Sequence, residues 1–190
     1  LAFEQRVVKR SMDILLSFTA LVVLLPVFLI TAIAIKLYDH GPVLYYQDRC
    51  TKDGRIFSIC KFRSMVENAE INGQSVPATE GDARITPVGK IIRKTRIDEL
   101  PQLINILKGE MSIVGPRPER VEHVDMYSKE IPEFVYRMKV KGGLTGYAQV
   151  YGKYNTTAYD KLKLDLMYIE NYTIWLDIEI IFKTIKILFM

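Results

Sequence analysis

The sequence predicts an α+β fold that is mainly α-helical. It should hold an N-terminal membrane-inserted re-entrant helix, a small β-hairpin, and helices that include an interfacial amphipathic one at the C-terminus. Three observations predict this. Ile14–Ile35 carries no charged residue. Two strand-like runs, Val43–Gln47 and Arg55–Phe62, flank a Thr-Lys-Asp-Gly turn at Thr51–Gly54, the pattern of a hairpin. Helical spacings and helix-end residues recur through the remainder. With 190 residues, 49% hydrophobic and 25% charged, the chain can bury a real core and is not a disordered segment.

The apolar run of 22 positions would extend roughly 33 Å as a helix, about the thickness of a bilayer core. Pro26 interrupts it, and an interior proline removes a helical hydrogen bond. Basic residues flank both ends, Arg6, Lys9 and Arg10 before it and Lys36 after. Equal positive flanks set no orientation for a straight span. A helix that enters, bends near Pro26 and returns to the same face satisfies both observations. A straight span and a buried soluble helix are the alternatives. Asp13, at the entry, is expected near headgroups or paired with a neighbouring cation. Gly41-Pro42 ends this segment, giving residues 1–40 as a membrane-inserted part and 41–190 as a second domain.

After the hairpin, residues Ser64–Ile71 read as helical and Asn72–Gly81 as a polar loop. Thr86 and Pro87 open a helix through Lys94 as N-cap and first-turn residue. Arg96–Lys108 is the next helical region. Pro101 suits its first turn, Leu100, Leu103, Ile104 and Leu107 form an apolar face, and Gly109 closes it. Met111–Val114 reads as a short buried strand or extended segment. Gly115-Pro116-Arg117-Pro118 is a rigid extended turn, and Gly142-Gly143 with Gly146 marks a flexible loop. Thr157–Tyr172 and Ile174–Phe189 read as helices. On the last of these, Glu179, Lys183 and Lys186 share one face among Ile, Leu and Phe. That suits an interfacial helix and equally a helix packed on the core.

Composition narrows function little. The net charge of +4 fits an anionic partner such as phosphate or an acidic lipid surface. Cys50 and Cys60 form no CxxC and read as thiols in a reducing compartment. His40 and His123 form no ligand cluster. The sharper signal is Asp98-Glu99, adjacent carboxylates near a helix start with Arg84, Lys90, Arg93, Lys94 and Arg96 upstream. Alone, such a pair is commonly a cap favoured by the helix dipole. Beside a basic cluster it also suits a site where cations neutralise phosphate oxygens and a carboxylate holds a divalent metal or attacks phosphorus. Arg117, between Pro116 and Pro118, is held for bidentate phosphate or carboxylate binding, or is a turn with a solvated side chain. Lys61 and Arg63 form a third basic site at the hairpin end. Tyr147, Tyr151 and Tyr154 could stack a base but more simply line a half-buried face.

These blocks resemble, in order and over essentially the whole chain, the catalytic domain of the bacterial polyprenyl-phosphate sugar-1-phosphate transferases, the monotopic phosphoglycosyl transferases. The similar runs are Lys9–Asp13, Gly41–Arg49, Lys61–Met65, Arg84–Gly89, Asp98–Gly109, Met111–Pro118, Gly143–Gln149, and Asp165–Asn171 followed by Asp177. The pairing of DELPQL with VGPRP is the most specific. The resemblance implies transfer of a sugar-1-phosphate from a nucleoside diphosphate sugar, a UDP-sugar, to polyprenyl (undecaprenyl) phosphate, initiating exopolysaccharide, O-antigen or glycoconjugate synthesis. It implies Asp98 as the nucleophile of a covalent phosphosugar intermediate. Glu99 would be its partner, placing magnesium or acting as base, so that Asp98 and Glu99 together hold Mg2+. Arg96, Arg117, Lys61 and Arg63 would meet phosphate, Pro116 and Pro118 would shape the site, and Pro26 would break the re-entrant helix. The expected partners are the nucleotide-sugar donor, the polyprenyl phosphate acceptor and membrane lipids, with no nucleic acid and a homo-oligomer left open. The expected location is the cytoplasmic face of the bacterial inner membrane. Because the chain begins at Leu1 and Lys139–Tyr154 resembles large members, it is expected to be the catalytic portion of a longer protein. One departure is Gly142-Gly143 where the family often has Pro-Gly, which predicts a looser backbone there. Two rivals stand against this reading. A metal-dependent glycosyltransferase would need a DxD motif, to which Asp177-Ile178-Glu179 is the nearest approach. A non-catalytic membrane scaffold would use the same charges structurally.

Overall fold

The computed structural model describes residues 2–69, 79, 81–152 and 156–188. The chain opens with α1 (Phe3–Val23) and α2 (Leu25–Asp39). The two helices meet at Leu24 with a bend of 61°. Pro26 occupies the first turn of α2, where its missing N–H has no helical partner to lose. Among the described residues no single helix is long and apolar enough to cross a membrane, whereas α1 and α2 reach that length together.

Helix α1 is inverted relative to a soluble amphipathic helix. Lys9, Asp13 and Ser17, four residues apart, are buried, while Val7, Leu15, Phe18 and Val23 face outward. The buried face is held by polar contacts. Lys9 Nζ donates to Asp177 Oδ2 at 2.6 Å, to the Val114 carbonyl at 3.0 Å and to the Tyr168 hydroxyl at 3.2 Å. Asp13 is met by the Ser112 hydroxyl at 3.0 Å and the Ile113 N–H at 2.9 Å. Its hydrogen-bond partners are therefore in the folded domain and are not the cation or headgroups expected from its position.

A hairpin follows, with β1 (Leu44–Cys50) antiparallel to β2 (Ile56–Phe62). Its turn uses Asp53 and Gly54, both with positive φ, as Asp-Gly hairpin turns require. Residues 64–69 are not helical: Met65 bridges Ile85, and the backbone bonds of Val66 and Thr86 tie this stretch to the chain before α3. Residues 70–78 and 80, which hold most of the expected polar loop, lie outside the described residues, as does Tyr154.

Helix α3 (Pro87–Lys94) starts as expected, with the Thr86 hydroxyl accepting from the Gly89 N–H at 2.9 Å. The expected single helix over Arg96–Lys108 is instead two pieces. Arg96 takes a left-handed conformation, a 3-10 turn spans Ile97–Glu99, and α4 covers Gln102–Lys108 after Pro101. Leu103 and Ile106 of α4 pack against Phe57 and Ile59 of β2, with Met111 beneath. Asn105, also buried, fastens β2 by accepting from the Cys60 N–H and donating to the Ser58 carbonyl. Arg10 reaches from α1 to the carbonyls of Ile106 and Leu107, a cation at a helix C-terminus.

Strand β3 (Ser112–Val114) pairs in parallel with β4 (Gly143–Thr145). The Gly142–Gly146 segment is thus not a loose loop. A Cβ on Gly143 would lie 2.1 Å from the Gly115 nitrogen, and one on Gly146 would lie 2.1 Å from the Gly115 carbonyl oxygen. Glycine is needed there for close backbone approach. Between β3 and β4 run α5 (Val121–Glu130) and a 3-10 stretch over Pro132–Lys139, elements the sequence reading left unassigned. The chain ends in α6 (Tyr147–Tyr151), α7 (Ala158–Glu170) and α8 (Ile174–Leu188). Asp177 and Ile180 of α8 are buried, and Trp175, Phe182 and Ile185 are exposed.

Candidate active site

The 3-10 turn between α3 and α4 presents Asp98 and Glu99 beside the hairpin and the Pro-Arg-Pro segment. Its sharpness follows from Arg96: the left-handed residue ends α3 and turns the chain so that both carboxylates face inward. Glu99 is buried. Its carboxylate accepts from Arg117 Nη2 at 2.5 Å and pairs with Lys61 Nζ at 3.4 Å. Burial works against the Glu99 charge, but Arg117 and Lys61 outweigh it and hold the carboxyl down at about 2. Burial lowers the Lys61 ammonium to about 8, with Glu99 resisting the shift.

Asp98 differs from its neighbour. It is half-buried, and its Oδ1 finds no hydrogen-bond partner among the described residues. Burial pushes its carboxyl up, and the adjoining Glu99 charge adds to this against the pull of Lys61, Arg93 and Arg96. Two adjacent acids are thus driven in opposite directions: Glu99 is neutralised by cations, and Asp98 keeps an oxygen that no described residue meets. A buried unpaired acceptor costs stability, and within the carboxylate pair it is Asp98 that has an oxygen open to a ligand.

Pro116 and Pro118 are buried, and the Arg117 side chain between them remains 39% exposed, so it can meet a ligand while gripping Glu99. A network behind the loop supports it. Arg137 donates to the Arg117 carbonyl at 3.0 Å and forms a 2.7 Å pair with Asp165, both side chains buried. Glu119 lies 3.5 Å from Arg137. Sequence reasoning assigned no role to Arg137 or Asp165, because nothing in a linear charge pattern signals a pair formed between a 3-10 stretch and α7.

Of the predicted phosphate-binding residues, Lys61 and Arg117 converge on Glu99, and exposed Arg96 lies two residues before Asp98 in the chain. Arg63 is placed elsewhere. Its guanidinium is buried against Asp39, at 2.6 Å through Nη1 and in closer contact through Nη2, and it donates to the Pro42 carbonyl at 2.5 Å. That clamp joins the end of α2 to the hairpin and leaves Arg63 engaged away from the carboxylate pair. Tyr147 and Tyr151 stack on each other, and Tyr151 meets Glu179 and Lys183 of α8, so these rings serve the helix packing.

Among the described residues no group of three or more His, Cys, Asp or Glu side chains could hold a metal ion. A divalent cation at this site would rest on Asp98 and on ligand oxygens. The orphaned Asp98 oxygen fits that demand, since magnesium commonly binds through one or two carboxylates plus substrate phosphates. Glu99 adjoins it with its charge already met.

A sequence profile described as bacterial sugar transferase matches residues 4–190. The chain belongs to the bacterial sugar transferase family. Among its relatives is the UDP-N-acetylgalactosamine-undecaprenyl-phosphate N-acetylgalactosaminephosphotransferase of Aeromonas hydrophila, 49% identical over 182 residues that cover 94% of this chain and 43% of that protein. The UDP-glucose:undecaprenyl-phosphate glucose-1-phosphate transferase of Escherichia coli (strain K12) is 43% identical, covering 95% of this chain and 40% of the relative. A protein of the same description from Caulobacter vibrioides is 40% identical, with 93% and 68% covered. This bacterial sugar transferase chain therefore spans well under half the length of the first two relatives. Its Asp98-Glu99 turn and Pro-Arg-Pro segment both fall inside the matched region.

Proposed function

We propose that this chain transfers a sugar-1-phosphate from a UDP-sugar to undecaprenyl phosphate through a covalent phosphosugar intermediate on Asp98. The observation that carries the reading is the division of labour in the carboxylate pair: Glu99 fixes Arg117 and Lys61, and Asp98 Oδ1 stands buried without a partner among the described residues. The Asp98 carboxylate attacks the sugar-bearing phosphorus. The bond from that phosphorus to the bridging oxygen breaks, and the nucleoside monophosphate leaves with the electron pair. An oxygen of the polyprenyl phosphate then attacks the same phosphorus and frees Asp98, giving a polyprenyl diphosphate sugar. Lys61, Arg117 and Arg96 offset the phosphate charge. A carboxyl held near 2 is a weak base, so Glu99 suits an orienting role. Magnesium bound by Asp98 and phosphate oxygens would supply charge neutralisation.

An acceptor buried in lipid requires the site to sit at a bilayer surface. The outward apolar residues of α1 and α2, with exposed Leu25, Leu29, Ile30 and Ile33, support insertion of the bent pair from one face. So large an apolar surface is uncommon on a soluble monomer. Trp175 and Phe182 on α8 suit the interface beside it. The reading places the protein at the cytoplasmic face of the bacterial inner membrane, starting an exopolysaccharide, O-antigen or glycoconjugate.

The test is a panel of UDP-sugars supplied with and without undecaprenyl phosphate. One donor should release UMP without acceptor, in an amount stoichiometric with enzyme, and leave a phosphosugar mass on the peptide holding Asp98. Asp98→Asn should abolish both. Turnover by Asp98→Asn, or release of UDP instead of UMP, would sink the proposal.

A further inference from the structure

A nucleoside diphosphate sugar brings two phosphates, and the two cations that pair with the carboxylate turn, Lys61 and Arg117, both converge on Glu99. A third cation stands behind them on β1. In the β1–β2 register Tyr45 lies opposite Lys61, and Gln47 and Arg49 follow on the same face. Arg49 Nη2 donates to Gln47 Oε1 at 2.5 Å, and Nη1 donates to the Pro118 carbonyl at 3.3 Å. Its Nε–H is buried and finds no partner among the described residues. The backbone is fixed as firmly. Arg49 forms an antiparallel bridge with Arg120, and the Cys50 N–H donates to the Glu119 carbonyl at 2.9 Å. The end of β1 is thus sewn to the segment that carries Arg117.

This arrangement is electrostatically costly without an anion. Burial and the charge of Arg117 pull Arg49 down to about 10, and Arg49 in turn contributes to lowering Lys61. The nearby carboxylates do not balance the cluster. Glu99 is taken by Arg117 and Lys61, and Glu119 is shared with Arg137 and His123. A half-buried guanidinium with an unused donor, facing like charges, is stabilised most by a bound polyanion. The charges that bear on Lys61 include Asp98, whereas the leading ones for Arg49 are Arg117, Glu119 and Arg120. The geometry gives the same order: Lys61 touches Glu99, the neighbour of Asp98, at 3.4 Å, whereas Arg49 pairs with Phe57, four residues along β2 from Lys61, and its side chain is held by Gln47 and the Pro118 carbonyl.

We propose that Arg49 binds the nucleotide-side phosphate of the donor, with Gln47 and the Pro118 carbonyl holding its guanidinium plane, while Lys61 and Arg117 serve the sugar-side phosphate. The assignment rests on the diphosphate-donor reading above. Arg49 then grips the leaving UMP, and acceptor binding does not involve it.

The test uses the full-length protein in lipid nanodiscs, with Arg49→Met, Arg49→Lys and Gln47→Leu. Donor KM, acceptor KM and inhibition by UMP are measured for each. Loss of one charge-assisted phosphate contact should raise donor KM and the UMP inhibition constant together, by about tenfold or more in Arg49→Met. Arg49→Lys should recover part of this, since lysine keeps the charge and loses the planar fork. Gln47→Leu should raise both by a few-fold, and acceptor KM should stay at the wild-type value in all three. Unchanged UMP inhibition in Arg49→Met overturns the assignment. So does a fall in kcat with both KM values unmoved, which would mark Arg49 as a strut for the Pro118 segment. If the wild-type protein releases no UMP from any donor, the diphosphate-donor reading itself fails. If it releases UMP and the Arg49 variants bind UMP normally, only the Arg49 assignment fails.

Discussion

Replacing Asp177 with alanine removes the carboxylate that meets Lys9 where both side chains are shut away from solvent, at 0% and 10% exposure. The Lys9 ammonium keeps the Val114 carbonyl at 3.0 Å and the Tyr168 hydroxyl at 3.2 Å, but it loses the carboxylate it is paired with, and Asp13, four residues along the same buried face, acts on it only through its field. Tyr168 loses the 2.7 Å acceptor for its own hydroxyl. Breaking one side of a buried ion pair costs about 3–5 kcal/mol, because the remaining charge stays buried without its partner. For a chain of this size that corresponds to a fall of about 6–20 °C in Tm. Thermal unfolding in detergent, followed by far-UV circular dichroism, measures it. The double variant Lys9→Met/Asp177→Leu removes both charges and should recover most of the loss, since apolar replacement of a whole buried pair is often near neutral. A drop under about 3 °C in Asp177→Ala, set against that expected range, would refute the pairing as a structural tie between α1 and α8. A double variant no better than the single would do the same.

Three further outcomes follow from the geometry. Gly143→Ala should cost about 3 kcal/mol or more, because its Cβ would meet the Gly115 backbone at 2.1 Å, whereas Gly54→Ala, in open space at φ +71°, should cost only about 1 kcal/mol; chemical denaturation separates them. Pro26→Leu restores a backbone N–H at the bend and should favour one continuous α1–α2 helix, so a cysteine placed near Phe3 should become labelled from the opposite side of sealed vesicles; labelling from the original side alone would count against a proline-set bend. The hydrogen bond from Arg63 holds the Asp39 carboxyl at about 2, against an ordinary value of 3.8. A depressed carboxyl stabilises fully above its unfolded pKa and loses that contribution as pH falls through its folded one. The wild-type advantage over Asp39→Asn should therefore be constant from pH 5 to 8 and shrink between about pH 4 and 2, read as the difference in Tm between the two proteins.

Local signals carried much of the fold. The Asp-Gly turn located the hairpin, Thr86-Pro87 located the start of α3, and Gly109 closed α4, because each depends on the backbone preferences of a few adjacent residues. The same locality misled at residues 64–69, where non-local pairing of Met65 with Ile85 overrode a helical pattern. It misled again at Gly142–Gly143, where the apparent looseness of paired glycines is the clearance that lets β4 lie against Gly115.

By itself the sequence determined the apolar length of the N-terminal segment, its break at Pro26, and the motifs Asp98-Glu99 and Pro116-Arg117-Pro118, since residue type and spacing along the chain are sufficient for those. Only the tertiary structure decided what the charges do. It turned Lys9 and Asp13 inward, gave Glu99 to Arg117 and Lys61, spent Arg63 on Asp39, and left Asp98 Oδ1 and Arg49 Nε without partners among the described residues. The reason is physical: a charge's partner, its burial and hence its chemistry depend on atoms brought within a few ångströms by folding, often a hundred residues away in sequence.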